Sequence, residues 1–159
     1  MSRNRTFTYD SNLLLSDGAT AVTASAAAQV ASANQILFLG GGPPSTLGGP
    51  QDYGLFEAYL VVDVTAIDLG TLGLYTIQFQ LSDSSTFGSG VVCKTSFQLG
   101  NTTALPSGGA SSTVGRYVGM VDNAGLEGTL YGYARIYTTV GGTVSTGISF
   151  KAFLAPILD

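Results

Sequence analysis

The residues in this 159-residue chain that can do chemistry are few and scattered. Histidine is absent, which removes the Ser-His-Asp and Cys-His machines and the usual zinc ligands in one step. Carboxylates group twice, Asp63 with Asp68 and Asp122 with Glu127, and a pair of carboxylates is all that a glycosidase requires. Turn chemistry is the preferred account of both groups, because Asp favours the ends of strands. The run Asp122 to Glu127 also carries oxygen ligands that suit calcium, but it is shorter than an EF-hand loop and departs from its spacing. Cys93 is the single cysteine. It falls on the apolar side of its strand pattern and reads as a buried, inert thiol, and no intramolecular disulfide is possible. Gly40 to Gly49 resembles a phosphate-cradling loop only superficially, since it holds no lysine and two adjacent prolines that lack amide donors. Asn101-Thr102-Thr103 is a glycosylation sequon in form, with nothing to mark secretion. No catalytic residue, metal site or cofactor is expected.

The remaining candidates are aromatic. Tyr131, Tyr133 and Tyr137 lie two or four residues apart and, with Arg135, share one side of an extended chain. They can stack on sugar rings, anchor a protein interface, or be covered by the domain's own loops. They belong to the stretch Thr129 to Leu154, two alternating runs separated by Gly141-Gly142, which reads as a long antiparallel hairpin. A two-residue loop would set Arg135 opposite Ile148. A three-residue loop, Gly141 to Thr143, sets Ile136 opposite Ile148, Ala134 opposite Phe150 and Leu130 opposite Leu154, and is the expected register.

Upstream, Thr6 to Tyr9 alternates and reads as a short strand or an arm that adds to a sheet edge. Ala19 to Ala33 is ambiguous: its alanines favour helix, but Thr20, Val22, Thr23 and Val30 favour an extended chain, which is preferred. Gln35 to Leu39 is a short strand, and Gly40 to Gly54 is loop, being too rich in Pro and Gly to hold a ladder. Phe56 to Thr65 places Phe56, Ala58, Leu60, Val62 and Val64 on one face. Leu74 to Ser82 does the same with Tyr75, Ile77, Phe79 and Leu81. Val91 to Leu99 points Val91, Cys93, Phe97 and Leu99 inward, and Val114 to Val121 is a further strand. Eight or nine short strands with no convincing helix predict an all-β fold, an antiparallel β-sandwich of jelly-roll type, forming a single domain over 1–159 with an N-terminal arm at 1–9.

Composition restricts the partners. Charged residues make up 10% of the chain, against about 25% in ordinary soluble proteins, and a surface short of charge tends to associate. A net charge of −4 argues against nucleic acid as a partner. The basic pair Arg3 and Arg5 is either a contact for acidic surface or a solvated end. No apolar run approaches the ~20 residues of a membrane span, and the N-terminus lacks the apolar region of a signal peptide.

Several stretches together resemble one family. They are Tyr9-Asp10-Ser11-Asn12-Leu13-Leu14-Leu15-Ser16-Asp17, Val61-Val62-Asp63-Val64-Thr65, the run YTIQFQLSDSSTFGSG from Tyr75 to Gly90, Gly115-Arg116-Tyr117, and Tyr133-Ala134-Arg135-Ile136-Tyr137 through Gly147 to Phe153. Read in order, they are similar to the capsid cement (decoration) proteins of tailed bacteriophages, of the Bordetella-phage type. The Gly40 to Gly54 loop departs from that pattern, being longer and richer in proline. The resemblance implies a jelly-roll module on the outside of an icosahedral head, a non-enzymatic virion component made in the bacterial cytoplasm. It implies homo-oligomers, dimers or trimers, that bridge neighbouring major capsid protein subunits. Expected contacts with capsid or a sister subunit are Arg3, Arg5, Phe7, Tyr9, Tyr131, Tyr133 and Tyr137. The alternative reading is a receptor- or carbohydrate-binding sandwich of a phage tail fibre.

Overall fold

The computed structural model describes residues 10–39, 55–105, 110–125 and 129–156. Arg3, Arg5, Phe7 and Tyr9, the Gly40 to Gly54 loop and Glu127 lie outside the described residues. Six long strands arise from the six cleanest alternating runs: β6 (Glu57–Ile67), β7 (Thr71–Ser82), β8 (Val92–Gly100), β9 (Gly115–Asp122), β10 (Tyr133–Thr143) and β11 (Ile148–Pro156). Five short ones come from the N-terminal third: β1 (Leu14–Ser16), β2 (Ala26–Ala27), β3 (Gln29–Val30), β4 (Ala33–Asn34) and β5 (Leu37–Phe38). One sheet runs β1-β11-β6-β9, the other β2-β10-β7-β8 with β5 also on β10, and β3 pairs with β4. Every pairing is antiparallel. The protein is an all-β antiparallel sandwich.

Its core forms because the inner faces of both sheets are apolar at every second residue. Ala58, Leu60, Val62 and Val64 of β6 meet Tyr75, Ile77, Phe79 and Leu81 of β7 in a single cluster, joined by Ala134 and Ile136 of β10 and Ile148, Phe150 and Leu154 of β11. Tyr75, Phe79 and Phe150 are the largest fully buried side chains. Each contributes roughly 2–3 kcal/mol by leaving water, so the fold holds without a disulfide. A smaller cluster of Leu14, Val61, Phe153 and Ala155 covers part of the outer side of the first sheet.

The expected hairpin does not form. β10 pairs with β7, β2 and β5, whereas β11 pairs with β6 and β1, so the chain crosses from one sheet to the other between Thr143 and Ile148. Ile136, Ala134, Ile148, Phe150 and Leu154 do share one dry core, but across the sandwich and not along a ladder. Alternation reveals which face of a strand is buried; it carries no information about which neighbour supplies the hydrogen bonds. The crossing is held by Asp68, in the β6–β7 connection. Its carboxylate accepts the backbone N–H groups of Ser145 at 2.6 Å, Thr146 at 2.8 Å and Gly70 at 2.9 Å.

The extended reading of Ala19 to Ala33 holds, whereas the placement of Cys93 and Val91 and the strand count are corrected. Ala19 to Ala33 contains no helix, in line with the extended reading, but it is broken into two-residue strands. Along β8, Thr95 faces Phe79 and Cys93 faces Gln80, a bulge that puts one extra residue, Lys94, into the ladder. Beyond it the alternation changes phase. Cys93 and Val91 are therefore exposed, not buried. The strand count is eleven among the described residues, the excess over eight or nine being the two-residue pieces.

Candidate functional site

The outer face of the β2-β10-β7-β8 sheet brings together Phe38, Phe87, Tyr133, Arg135 and Tyr137. Register places Tyr133, Arg135 and Tyr137 of β10 beside Ser82, Gln80 and Gln78 of β7, with Phe38 of β5 beside Tyr133. These residues face outward because their neighbours Ala134, Ile136 and Thr138 are fully buried, and side chains alternate. The Phe38 and Tyr133 rings tilt together at a centroid distance of 5.4 Å, within the range of a favourable aromatic pair.

Arg135 is the fixed point of this face. Its Nε donates to Gln80 Oε1 at 3.0 Å, and Gln80 Nε2 donates to Gln78 Oε1 at 2.8 Å. The guanidinium carbon lies 4.3 Å from the centre of the Phe87 ring and 5.1 Å from that of Tyr137, close enough for cation–π attraction to both. Partial burial draws the Arg135 pKa below its ordinary value; arginine starts so high that the group remains a cation. Phe87 comes from the β7–β8 turn, is 7% exposed, and has φ of 53°. A bulky residue in the left-handed region is strained, and such strain concentrates where a side chain must be held in place. What it holds here is a ring under a guanidinium.

Of the expected contact residues, Tyr133 and Tyr137 stand on this face. Tyr131 does not: it precedes β10, packs against the core, and lies against Gly125, where an added Cβ would come within 2.6 Å of its Cε2. The bend at Gly132 breaks the alternation that seemed to align all three tyrosines. Phe87 and Phe38 were missed as members of the site. The signal for Phe87 was available, since it is an apolar ring alone in the polar run SDSSTFGSG.

The carboxylate groupings do other work. Asp63 forms a bidentate pair with Arg116 of β9, at 2.6 and 2.8 Å, while Asp68 binds three amides. Asp122 takes Lys94 at 2.8 Å and the Ala124 amide at 2.8 Å. Among the described residues Asp63, Asp68 and Asp122 are each engaged with a cation or with backbone amides, and Glu127 lies outside them. Among the described residues no three His, Cys, Asp or Glu gather as metal ligands would. Cys93 is exposed, but desolvation pushes its pKa up, the opposite of what activates a thiol. A cavity of about 180 Å³ lies beside β1 and β2, lined by Ser16, Thr20, Thr23, Gln29 and small apolar residues. None of its lining residues is titratable, so its hydroxyls have no base beside them.

The face therefore consists of paired rings and one cation held by Gln80, Phe87 and Tyr137. In comparisons with family models, curated proteins and solved structures, the chain matches none of them.

Proposed function

We propose that this chain is a structural virion protein of the cement or decoration class, which binds the outside of a tailed-phage head and stabilises its major capsid lattice. The observation that carries the reading is the Arg135 face. Tyr and Arg are the residues that dominate binding energy in protein interfaces, and they do so when held rigidly and desolvated by a partner. Here Gln80, Phe87 and Tyr137 hold Arg135 before any partner arrives. The entropy of ordering those side chains is then already spent in folding.

Two further features support it. A chain with 10% charged residues gains from having its surface covered by neighbours. The strand orders β1-β11-β6-β9 and β2-β10-β7-β8 support a jelly roll, since among the six long strands only β7 to β8 joins neighbours within a sheet and the connections β6–β7, β8–β9, β9–β10 and β10–β11 all cross the sandwich. In this reading the chain acts in several copies, is made in the bacterial cytoplasm, and contacts the major capsid protein without catalysis.

The test is to purify heads with and without this protein and compare their heat stability. Added protein should raise the temperature at which bare heads release DNA. No binding to heads and no shift in release temperature would overturn the reading. The same aromatic face is also the observation that favours the alternative, a receptor- or carbohydrate-binding sandwich of a tail fibre, because rings stack on sugars. Glycan-array binding that is lost on Tyr137→Ala would favour it.

A further inference from the structure

Among the described residues the two main sheets have four edges, and three are blunted. β1 and the β2/β5 side are only two or three residues long, and β8 is bulged at Lys94. Short edges, bulges and edge lysines are the usual means by which proteins prevent strand pairing between molecules. Among the described residues β9 is neither short nor bulged: it is eight residues long, pairs with β6 in unbroken register and has no other strand partner, and Lys94 of β8 reaches only its last residue, Asp122, and the Ala124 carbonyl beyond it.

Its outward row reads Arg116, Val118, Met120, Asp122, because Tyr117 packs against the core and Val121 lies within it. Val118 is 38% exposed and Met120 62%. The row runs cation, apolar, apolar, anion, and it is its own complement when reversed. An antiparallel copy centred on Gly119 sets Arg116 opposite Asp122 and Val118 opposite Met120, each contact made twice by symmetry. Gly119 at the centre adds no outward or inward side chain, its Cβ position being filled by Phe97 at 3.2 Å from the core side.

Both charged ends retain capacity. Arg116 uses Nε and one Nη on Asp63, two of the five donors of a guanidinium. Asp122 uses Oδ1 for Lys94 and the Ala124 amide. The geometry points to β9 as the seam of a two-fold dimer, in which two β1-β11-β6-β9 sheets join into one eight-stranded sheet. The occupant of this edge is a second copy of the same chain. The inference deepens the self-association part of the proposed function and is independent of capsid attachment.

The experiment uses the full chain carrying Cys93→Ser, so that the exposed native thiol does not react. Val118→Cys and Met120→Cys are made separately in this background and oxidised alone and mixed. Directly opposed positions have Cα atoms about 4.5–5.5 Å apart, within the range that a disulfide bridges. The expected result is a disulfide-linked dimer in the mixture and almost none in either variant alone. In parallel, sedimentation equilibrium at the high micromolar concentrations a small interface needs should show a dimer. Val118→Lys with Met120→Lys, at exposed positions, should weaken it by a factor of ~100 or more through juxtaposed like charge. Cross-linking of either single variant as strong as in the mixture would overturn the register. A monomer at all concentrations, or a dimer unmoved by the two lysines, would overturn the seam. If the seam fails but heads are still bound, the capsid reading stands alone; a β9 dimer that ignores heads has the opposite meaning.

Discussion

Replacing Asn123 by alanine should be one of the most damaging single-residue changes outside the apolar core. Asn123 follows β9, is fully buried, and ties two strand entries together. Its Oδ1 accepts the Phe56 N–H at 2.7 Å and its Nδ2 donates to the Tyr131 carbonyl at 3.2 Å. Its own backbone N–H donates to the Phe56 carbonyl and its carbonyl accepts the Tyr131 N–H. Alanine keeps the two backbone bonds and strands a donor on Phe56 and an acceptor on Tyr131. Each buried polar group left without a partner costs about 1–3 kcal/mol. Phe56 is only part-buried, so water relieves some of this, and a total of about 2–4 kcal/mol is expected.

Urea unfolding followed by circular dichroism measures that loss, with an unchanged m-value showing that the unfolded state is not responsible. Asn123→Asp provides the control. Ionised, it buries a charge and loses the donor to Tyr131; protonated, it regains one. Its deficit against the native chain should therefore shrink as pH falls through its raised pKa, the buried carboxyl being hard to ionise. A cost below about 0.5 kcal/mol for Asn123→Ala, the range of an ordinary surface change, would refute the reasoning.

Three other outcomes are expected. Thr138 is fully buried with a hydroxyl oxygen that has no hydrogen-bond partner among the described residues, so Thr138→Val should stabilise the fold by about 1 kcal/mol, a rise in Tm of roughly 2–4 °C. Ala31 and Ser32 form the two-residue β3–β4 turn with φ of 51° and 64°, a geometry that favours Asn-Gly, and replacing both should add about 1–2 kcal/mol in the same assay. The N–H groups of Thr146, Ser145 and Gly70 hold the Asp68 carboxyl below its ordinary 3.8. A lowered folded pKa means that this contribution is present above pH 4 and lost as pH falls through the folded value. Asp68→Asn should lower Tm at pH 7 and flatten its fall in acid; an equal acid slope in both proteins would contradict the assignment.

The inner faces were legible because burial imposes alternation on each strand by itself. Every inward residue assigned to Leu74 to Ser82 is fully buried, and Ala58, Leu60, Val62 and Val64 are buried too. What a single run does not encode is its neighbour, and so Thr129 to Leu154 read as a hairpin although its halves belong to opposite sheets. Cys93 was misplaced for a related reason: one extra residue at Lys94 inverts the phase, and nothing in VVCKTSF marks the bulge. Tyr133, Arg135 and Tyr137 were visible as an outward row. Phe87 and Phe38 reach that row only through the turn after β7 and the β5 pairing, which are tertiary facts.

Binding of the chain to heads prepared without it tests the central claim most directly, comparing the native protein with Arg135→Ala. An account in which the Arg135 face adheres to the capsid predicts tight co-sedimentation for the native chain. It predicts a loss of at least about tenfold for Arg135→Ala, as expected for a hot-spot residue, while the variant still folds. Equal binding by native and Arg135→Ala proteins, or no binding by either, would contradict it.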